Sequence, residues 1–215
     1  MPADIDVVAH VVKTIAQTAI ANEDYFCDLD SVVGDGDFGY SLARGFERLL
    51  DQWDGLSRAD VASFLKDVAM VASSRIGGSS GPIWGTGFLR ASLVARKAET
   101  LDTLTIVAML RSGIEGIMAR GGAQLGDKTL LDALAPLADA LEQGAAAGES
   151  TPELLARAVA VTTAAAEATK DMQAMRGRAA YTGERSIGSV DAGATAIAVI
   201  MRAIAADWPS ENQAE

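Results

Sequence analysis

The sequence predicts an all-α protein, a single-domain bundle of eight antiparallel up-and-down helices. Three observations carry that expectation. Apolar residues recur at spacings of three and four, strand-like alternation is nearly absent, and short plain connections alternate with long glycine-rich ones. A chain of 215 residues, 49% of them hydrophobic, can bury one full core and lies in the range of a single domain, here 1–215.

The first helix carries its apolar face on Ile5, Val8, Val12, Ile15 and Ala19. The second uses Leu42, Phe46, Leu49 and Trp53. The third uses Val61, Phe64, Leu65, Val68 and Ala72, with Ser57 and Asp60 resembling a capping box at its start. Phe88, Ser92 and Leu93 mark the fourth, and Leu104, Val107, Leu110, Ile114 and Ile117 the fifth. The sixth runs through Leu130, Leu134, Leu137 and Leu141. Leu154, Leu155, Ala158, Val159 and Thr162 form the seventh, where Thr151 and Pro152 read as a cap followed by proline at the first helical position. Ile197, Met201, Ile204 and Ala205 complete the set.

The seven connections alternate in kind. Those at 54–57, 100–102 and 147–150 are short, as helix hairpins require. The others, 23–40, 77–86, 120–128 and 176–192, hold 15 of the 21 glycines once Gly87 and Gly193 at their edges are included. In an antiparallel bundle the odd-numbered connections share one end. Four helix N-termini, with unpaired N–H groups and partial positive charge, then face one place, which is an anion site by geometry. Read singly, such glycines need do no more than let the chain turn.

Charge and composition exclude several function classes. Lys plus Arg number 18 against 29 Asp plus Glu, a net charge of −11, so no general basic footprint exists for nucleic acid or an anionic membrane. Any phosphate must be held by backbone and metal. The one cysteine, Cys27, forms no internal disulfide or cysteine zinc cluster. Met1 to Val12 carries acids where a secretory signal has lysines. The most apolar stretch, Ala192 to Met201, stops at Arg202, short of the roughly 20 residues of a membrane span. A cytoplasmic protein is expected.

Three local patterns match familiar motifs on paper. Gly34 to Gly39 satisfies GxGxxG, but no strand precedes it and two carboxylates stand where pyrophosphate would sit. With Asp30, the acids Asp35 and Asp37 are instead spaced to hold a divalent cation through hard oxygen ligands; the plainer reading makes them turn and cap residues. Gly77 to Gly81 satisfies GxSxG, yet the only histidine is His10, upstream in a helix, which rules out a serine hydrolase. Ser79 and Ser80 there can donate to an anion. Gly121 to Thr129 misses a Walker A loop by one residue, Asp127, so Lys128 is either a point charge near phosphate or a salt-bridge partner of Asp127. In the last loop Arg178 suits a phosphate or a base, while Arg185 suits Glu184 or another carboxylate. Trp53, Trp84 and Trp208 read as packing, with Trp84 near enough to its loop to line a site.

Taken in order, Asp30 to Gly39, Gly77-Gly78-Ser79-Ser80-Gly81-Pro82, Gly126-Asp127-Lys128-Thr129, Gly177-Arg178-Ala179 and Gly183 to Gly188 resemble the motifs of the nucleotide-binding L subunit of dihydroxyacetone kinases. The resemblance covers nearly the whole chain. It implies a barrel of eight antiparallel helices with ADP or ATP bound in the loops at one end. The nucleotide is held there through two Mg²⁺ ions on Asp30, Asp35 and Asp37. By position it places nucleotide contacts at Phe38, Gly39, Tyr40, Ser41, Ser79, Ser80, Gly121, Leu130, Arg178, Asp191, Ala192 and Gly193. It also implies a separate K subunit that holds the ketose, dihydroxyacetone or a four-carbon relative, covalently. The donor is either exchanging ATP or a phosphorelay protein that recharges bound ADP. Phe38 stands where a polar residue is common, Ser41 and Ala43 where asparagines are, and Ala192 where proline is; these departures bear on phosphate-side contacts and leave the acids intact. A second function of the same family, nucleotide-dependent docking on a transcription regulator, is the alternative to kinase activity.

Overall fold

The computed structural model describes residues 4–209; residues 1–3, the start of the stretch read for a secretory signal, lie outside it. All described regular structure is helical: α1 Asp4–Ala21, α2 Glu23–Ser31, α3 Phe38–Asp51, α4 Val61–Arg75, α5 Ser80–Ala95, α6 Thr103–Gly121, α7 Leu131–Ala146, α8 Thr151–Ala168 and α9 Ala192–Ala206. Short 3-10 segments cover Trp53–Gly55, Thr169–Asp171 and Arg178–Ser186. Each of the eight apolar stripes falls on a helix of its own, with Trp53 just past the end of α3 and Leu130 just before α7.

Two expectations about the long connections need correction. Residues 23–31 form α2, a helix nearly continuous with α1: the Asn22 N–H donates to the Thr18 carbonyl at 3.1 Å and the Phe26 N–H to the Asn22 carbonyl at 3.0 Å. Only Phe26 of its nine residues is buried, too little to leave a stripe. Likewise α5 starts at Ser80, so most of 77–86 is helix. Gly81 and Gly85 are therefore packing residues of α5, where their missing side chains admit the backbone of α4: a β-carbon on Gly85 would lie 2.9 Å from the Ala69 carbonyl oxygen.

Two caps also differ from expectation. Asp60, not Ser57, caps α4, accepting from the Ser63 N–H at 2.7 Å, while the Ser57 N–H goes to Asp67 at 2.9 Å. At α8 the cap is Ser150, whose N–H and hydroxyl both donate to Glu153, at 2.8 and 2.7 Å; Thr151 and Pro152 are the first two helical residues.

Packing follows chain order and then closes. Helix α1 packs on α3, each of α3 to α8 packs on the next, and α9 returns to α1, with α2 laid across α3 and α9. The largest core joins Val12, Phe26, Leu42, Phe46, Phe64 and Val68, and Trp84 meets Phe46 edge-on at 5.6 Å. Each buried phenylalanine contributes about 1.5–3 kcal/mol by removal from water. Around α7, α8 and α9 alanine dominates: Ala133, Ala166, Ala194 and Ala198 bring the helices close. This ring of helices holds the odd-numbered loops together at one end.

Candidate functional site

Contacts between the loops form a closed circuit. Ser41, at the start of α3, borders Gly77, where a β-carbon would lie 2.8 Å from the serine hydroxyl. Ile83 of α5 reaches Gly121 at the end of α6, with 3.2 Å to a β-carbon there. Asp127 pairs with Arg176 at 2.9 Å, and Leu130 abuts Gly193, 3.3 Å from a β-carbon placed on it. Arg178 Nε returns to Asp35 Oδ2 at 3.0 Å.

Within this rim the acids converge. Asp30 lies in the last turn of α2, and the chain after it folds back so that the Gly36 N–H donates to Asp30 Oδ2 at 2.9 Å. That turn needs Gly36, at φ +75°, where a side chain is strained. Asp37 precedes α3 without capping it, and its carboxylate faces that of Asp35 instead. One oxygen from each of Asp30, Asp35 and Asp37 lies within 4.8 Å of the others. Burial, then the charges of Asp35 and Asp30, push the Asp37 carboxyl above its ordinary range, against the pull of Arg178. Three hard carboxylates short of positive charge fit a divalent cation.

Helix starts distinguish this end further. Asp60, Asp102 and Glu153 serve α4, α6 and α8, and Asp191 caps α9 through the Ala194 N–H at 2.7 Å. At α7 the Leu131 N–H donates to the Thr129 hydroxyl at 3.2 Å. By contrast α3 and α5 begin at Asp37 and Ser79 without a side-chain cap from those residues, although the Tyr40 N–H of α3 is taken by Cys27 Sγ at 3.2 Å. The N–H groups left over there, those of Phe38 and Gly39 in α3 and of Ser80 in α5, are the natural partners of an anion.

The remaining expected residues divide. Gly39 and Ser41 lie in the first turn of α3, Ser79 and Ser80 at the start of α5, and Leu130 and Gly193 meet between α7 and α9. Gly121 closes α6, and Ala192 opens α9 beside Asp191. Phe38 turns its ring onto Phe26, centroids 6.1 Å apart, so its backbone and not its ring borders the acids. Tyr40 is exposed beneath the Arg44 guanidinium at 5.3 Å. Trp84 is half-buried and packs against the main core and also into the cluster that holds Leu130 and Ala194. Arg185 makes no pair with Glu184; its Nε donates to the Thr182 carbonyl at 3.4 Å. Neither reading of Lys128 holds: it is buried and donates to backbone carbonyls, while Asp127 takes Arg176. Sequence reasoning missed Asp132, buried in the first turn of α7, whose two oxygens accept from the N–H groups of Gly126 and Thr129 at 2.5 and 2.8 Å. The T-x-x-D spacing from Thr129 was its signal.

Residues 32–206 match the DAK2 domain. The chain belongs to the DAK2-domain family. This DAK2-domain chain is 37% identical over 182 residues to the ADP-binding subunit DhaL of the PEP-dependent dihydroxyacetone kinase of Escherichia coli, covering 85% of this chain and 87% of that one. A Listeria innocua subunit of the same description is 38% identical over 183 residues, with 85% and 86% covered. Among solved structures, the dihydroxyacetone kinase of C. freundii in complex with AMP-PNP and Mg²⁺ superposes with a TM-score of 0.76 at 25% identity. The match takes in 96% of this chain but only 34% of that kinase. Among the described residues no helix is long and apolar enough to cross a membrane.

Proposed function

We propose that this chain is the nucleotide-binding subunit of a small-ketose kinase, a single cytoplasmic unit that holds ADP or ATP and delivers a phosphoryl group to a ketose on a separate K subunit. The observation that carries the reading is the pairing of two uncapped helix starts, α3 and α5, with the acids Asp30, Asp35 and Asp37. The first offers N–H donors to phosphate oxygens; the second would repel phosphate unless a cation stood between them. Asp30, Asp35 and Asp37 would hold two Mg²⁺ ions, which when bound neutralise phosphate charge. Around them the chain's own groups orient the nucleotide. Ser79 and Ser80 present hydroxyls and N–H groups beside the start of α5, Arg178 stands within reach of the same place, and Leu130 with Gly193 forms an apolar wall suited to a base. Positioning and fixed dipoles are what phosphoryl transfer asks of a protein. The AMP-PNP and Mg²⁺ in the C. freundii relative support nucleotide and metal. The PEP-dependent, ADP-binding relatives support a bound ADP recharged by a phosphorelay protein.

A K-type partner has a landing surface. Val32, Leu125, Met175, Tyr181 and Ile187 are exposed on the loops of this end, Tyr181 to 85%. Docking on a transcription regulator would use the same rim, and phosphorylation of dihydroxyacetone on mixing with a K-type subunit distinguishes the two. For the site, the decisive variant is Asp35→Ala. Calorimetry is expected to show Mg-ADP binding weakened by about 100-fold or more, while circular dichroism keeps the helical signal. A folded Asp35→Ala protein with unchanged affinity refutes the assignment.

A further inference from the structure

Lys128 is the one non-glycine residue with positive φ among the described residues, at +61°, and it is only 3% exposed. Both features are costly on their own, since left-handed backbone strains a side chain and a buried ammonium loses its hydration. Three hydrogen bonds offset them. Nζ donates to the carbonyls of Met172 at 3.2 Å and Ser189 at 2.7 Å, and to that of Ser186. An ammonium has three donors, so none remains for a phosphate.

All three acceptors belong to one segment, 172–189, which carries Arg178. That segment has little regular structure: its 3-10 helix is broken at Gly183, at φ 57° and ψ −132°. Its buried hydrogen bonds gather around the ammonium, while Arg176 and Arg178 tie its outer face to Asp127 and Asp35. Ser186 is fully buried, accepts from the Ala174 N–H at 2.8 Å and donates to the Gly183 carbonyl at 2.7 Å. The Ser189 hydroxyl donates to the Ser186 carbonyl at 3.1 Å. Outside the cage, the Met175 N–H donates to the Asp127 carbonyl at 3.0 Å. Burial lowers the proton affinity of Lys128, and the charge of Asp191 counters it.

We propose that Lys128 is a positioning residue whose ammonium, caged by the carbonyls of Met172, Ser186 and Ser189, folds segment 172–189 into the lid that brings Arg178 to the nucleotide site. The inference rests on the nucleotide reading given above. Lys128 acts through the lid and touches neither phosphate nor metal.

Two variants test it. Lys128→Met keeps roughly the length without the charge, and Lys128→Gly relieves the backbone and empties the room of the whole butylammonium side chain, more than enough for a methylammonium ion. Hydrogen exchange over 172–189 is expected to rise by about tenfold or more in both, and Mg-ADP affinity by calorimetry to fall by a similar factor, because three buried carbonyls lose their donor. Methylammonium should restore protection and affinity to Lys128→Gly, whereas tetramethylammonium, which cannot donate, should not. Affinity lost while the segment stays protected would overturn the proposal, because Lys128 would then touch the nucleotide itself. So would unchanged exchange with unchanged affinity, or failure of methylammonium to restore Lys128→Gly. If Lys128→Met does not fold, Lys128→Gly with and without methylammonium decides. Wild-type protein that binds no Mg-ADP would sink the nucleotide reading alone, since exchange over 172–189 still judges the cage.

Discussion

Gly34 stands where a β-carbon would run into the Asp30 carboxylate, with the Asp30 carbonyl oxygen only 2.9 Å away. Its missing side chain leaves room for the Asp30 carboxylate, a proposed metal ligand. Gly34→Ala should therefore swing Asp30 out of the cluster and weaken Mn²⁺ binding by about tenfold, with little change in helicity; retained affinity by electron paramagnetic resonance would show that Asp30 is not a ligand. Asp191 makes a different case. Burial first, then the charge of Asp132, pushes its carboxyl up to about 7, against the N–H groups at the start of α9 and the charge of Lys128. The native state thus keeps a proton that the unfolded chain releases near the ordinary carboxylate value. Stability from this group is full at low pH and falls as pH rises through about 7. Asp191→Asn keeps the capping oxygen and removes the titration. Its urea midpoint should gain on that of the wild type as pH climbs from about 4 to about 8, and parallel curves would exclude the effect. At this scale the acids were legible because clustered like charge must be compensated by something. Lys128 was not, because its partners are backbone carbonyls 44 to 61 residues away, which have no sequence signature.

Whole helices were legible wherever they bury a broad face, and the eight stripes show it. Helix α2 escaped because it lies over α3 and α9 and buries one side chain, so periodicity had nothing to register. The start of α5 escaped for the opposite reason: Ser80, Gly81, Pro82 and Gly85 read as loop chemistry, yet the glycines pack by what they lack. Gly85→Ala tests that account. Its β-carbon would sit 2.6 Å from Ser73 Cβ and 2.9 Å from the Ala69 carbonyl oxygen, so α4 and α5 must part. The expected cost is about 1–3 kcal/mol, read as a lower urea midpoint. A change within a few tenths would mean that the two helices have slack. Caps divide differently: Asp60, Asp102 and Glu153 serve the helix starts of the far end, and at the rim Asp191 caps α9 while neither Asp37 nor Ser79 caps the helix that follows it.

At the level of the molecule, closing the helix ring through α9 and α1 ties together loops that lie up to about 150 residues apart in the chain, and so places Asp35 against Arg178. With a net charge of −11 the protein has little to attract a nucleotide at long range, so binding depends on what this one rim concentrates. Apolar side chains stand in water on this rim, as Met70, Leu89, Leu93 and Leu104 do elsewhere, but one of them is far more exposed than the rest. Tyr181, 85% exposed on the 3-10 segment that carries Arg178, makes no contribution to the core clusters. In the reaction proposed above the K-type partner would approach this end, and a rigid aromatic ring is the side chain best suited to anchor it. Tyr181→Ser should leave Mg-ADP affinity unchanged by calorimetry while weakening association with a K-type subunit by about tenfold or more, measured by surface plasmon resonance. Loss of nucleotide affinity instead would place Tyr181 inside the site, and unaltered association would remove it from the docking surface.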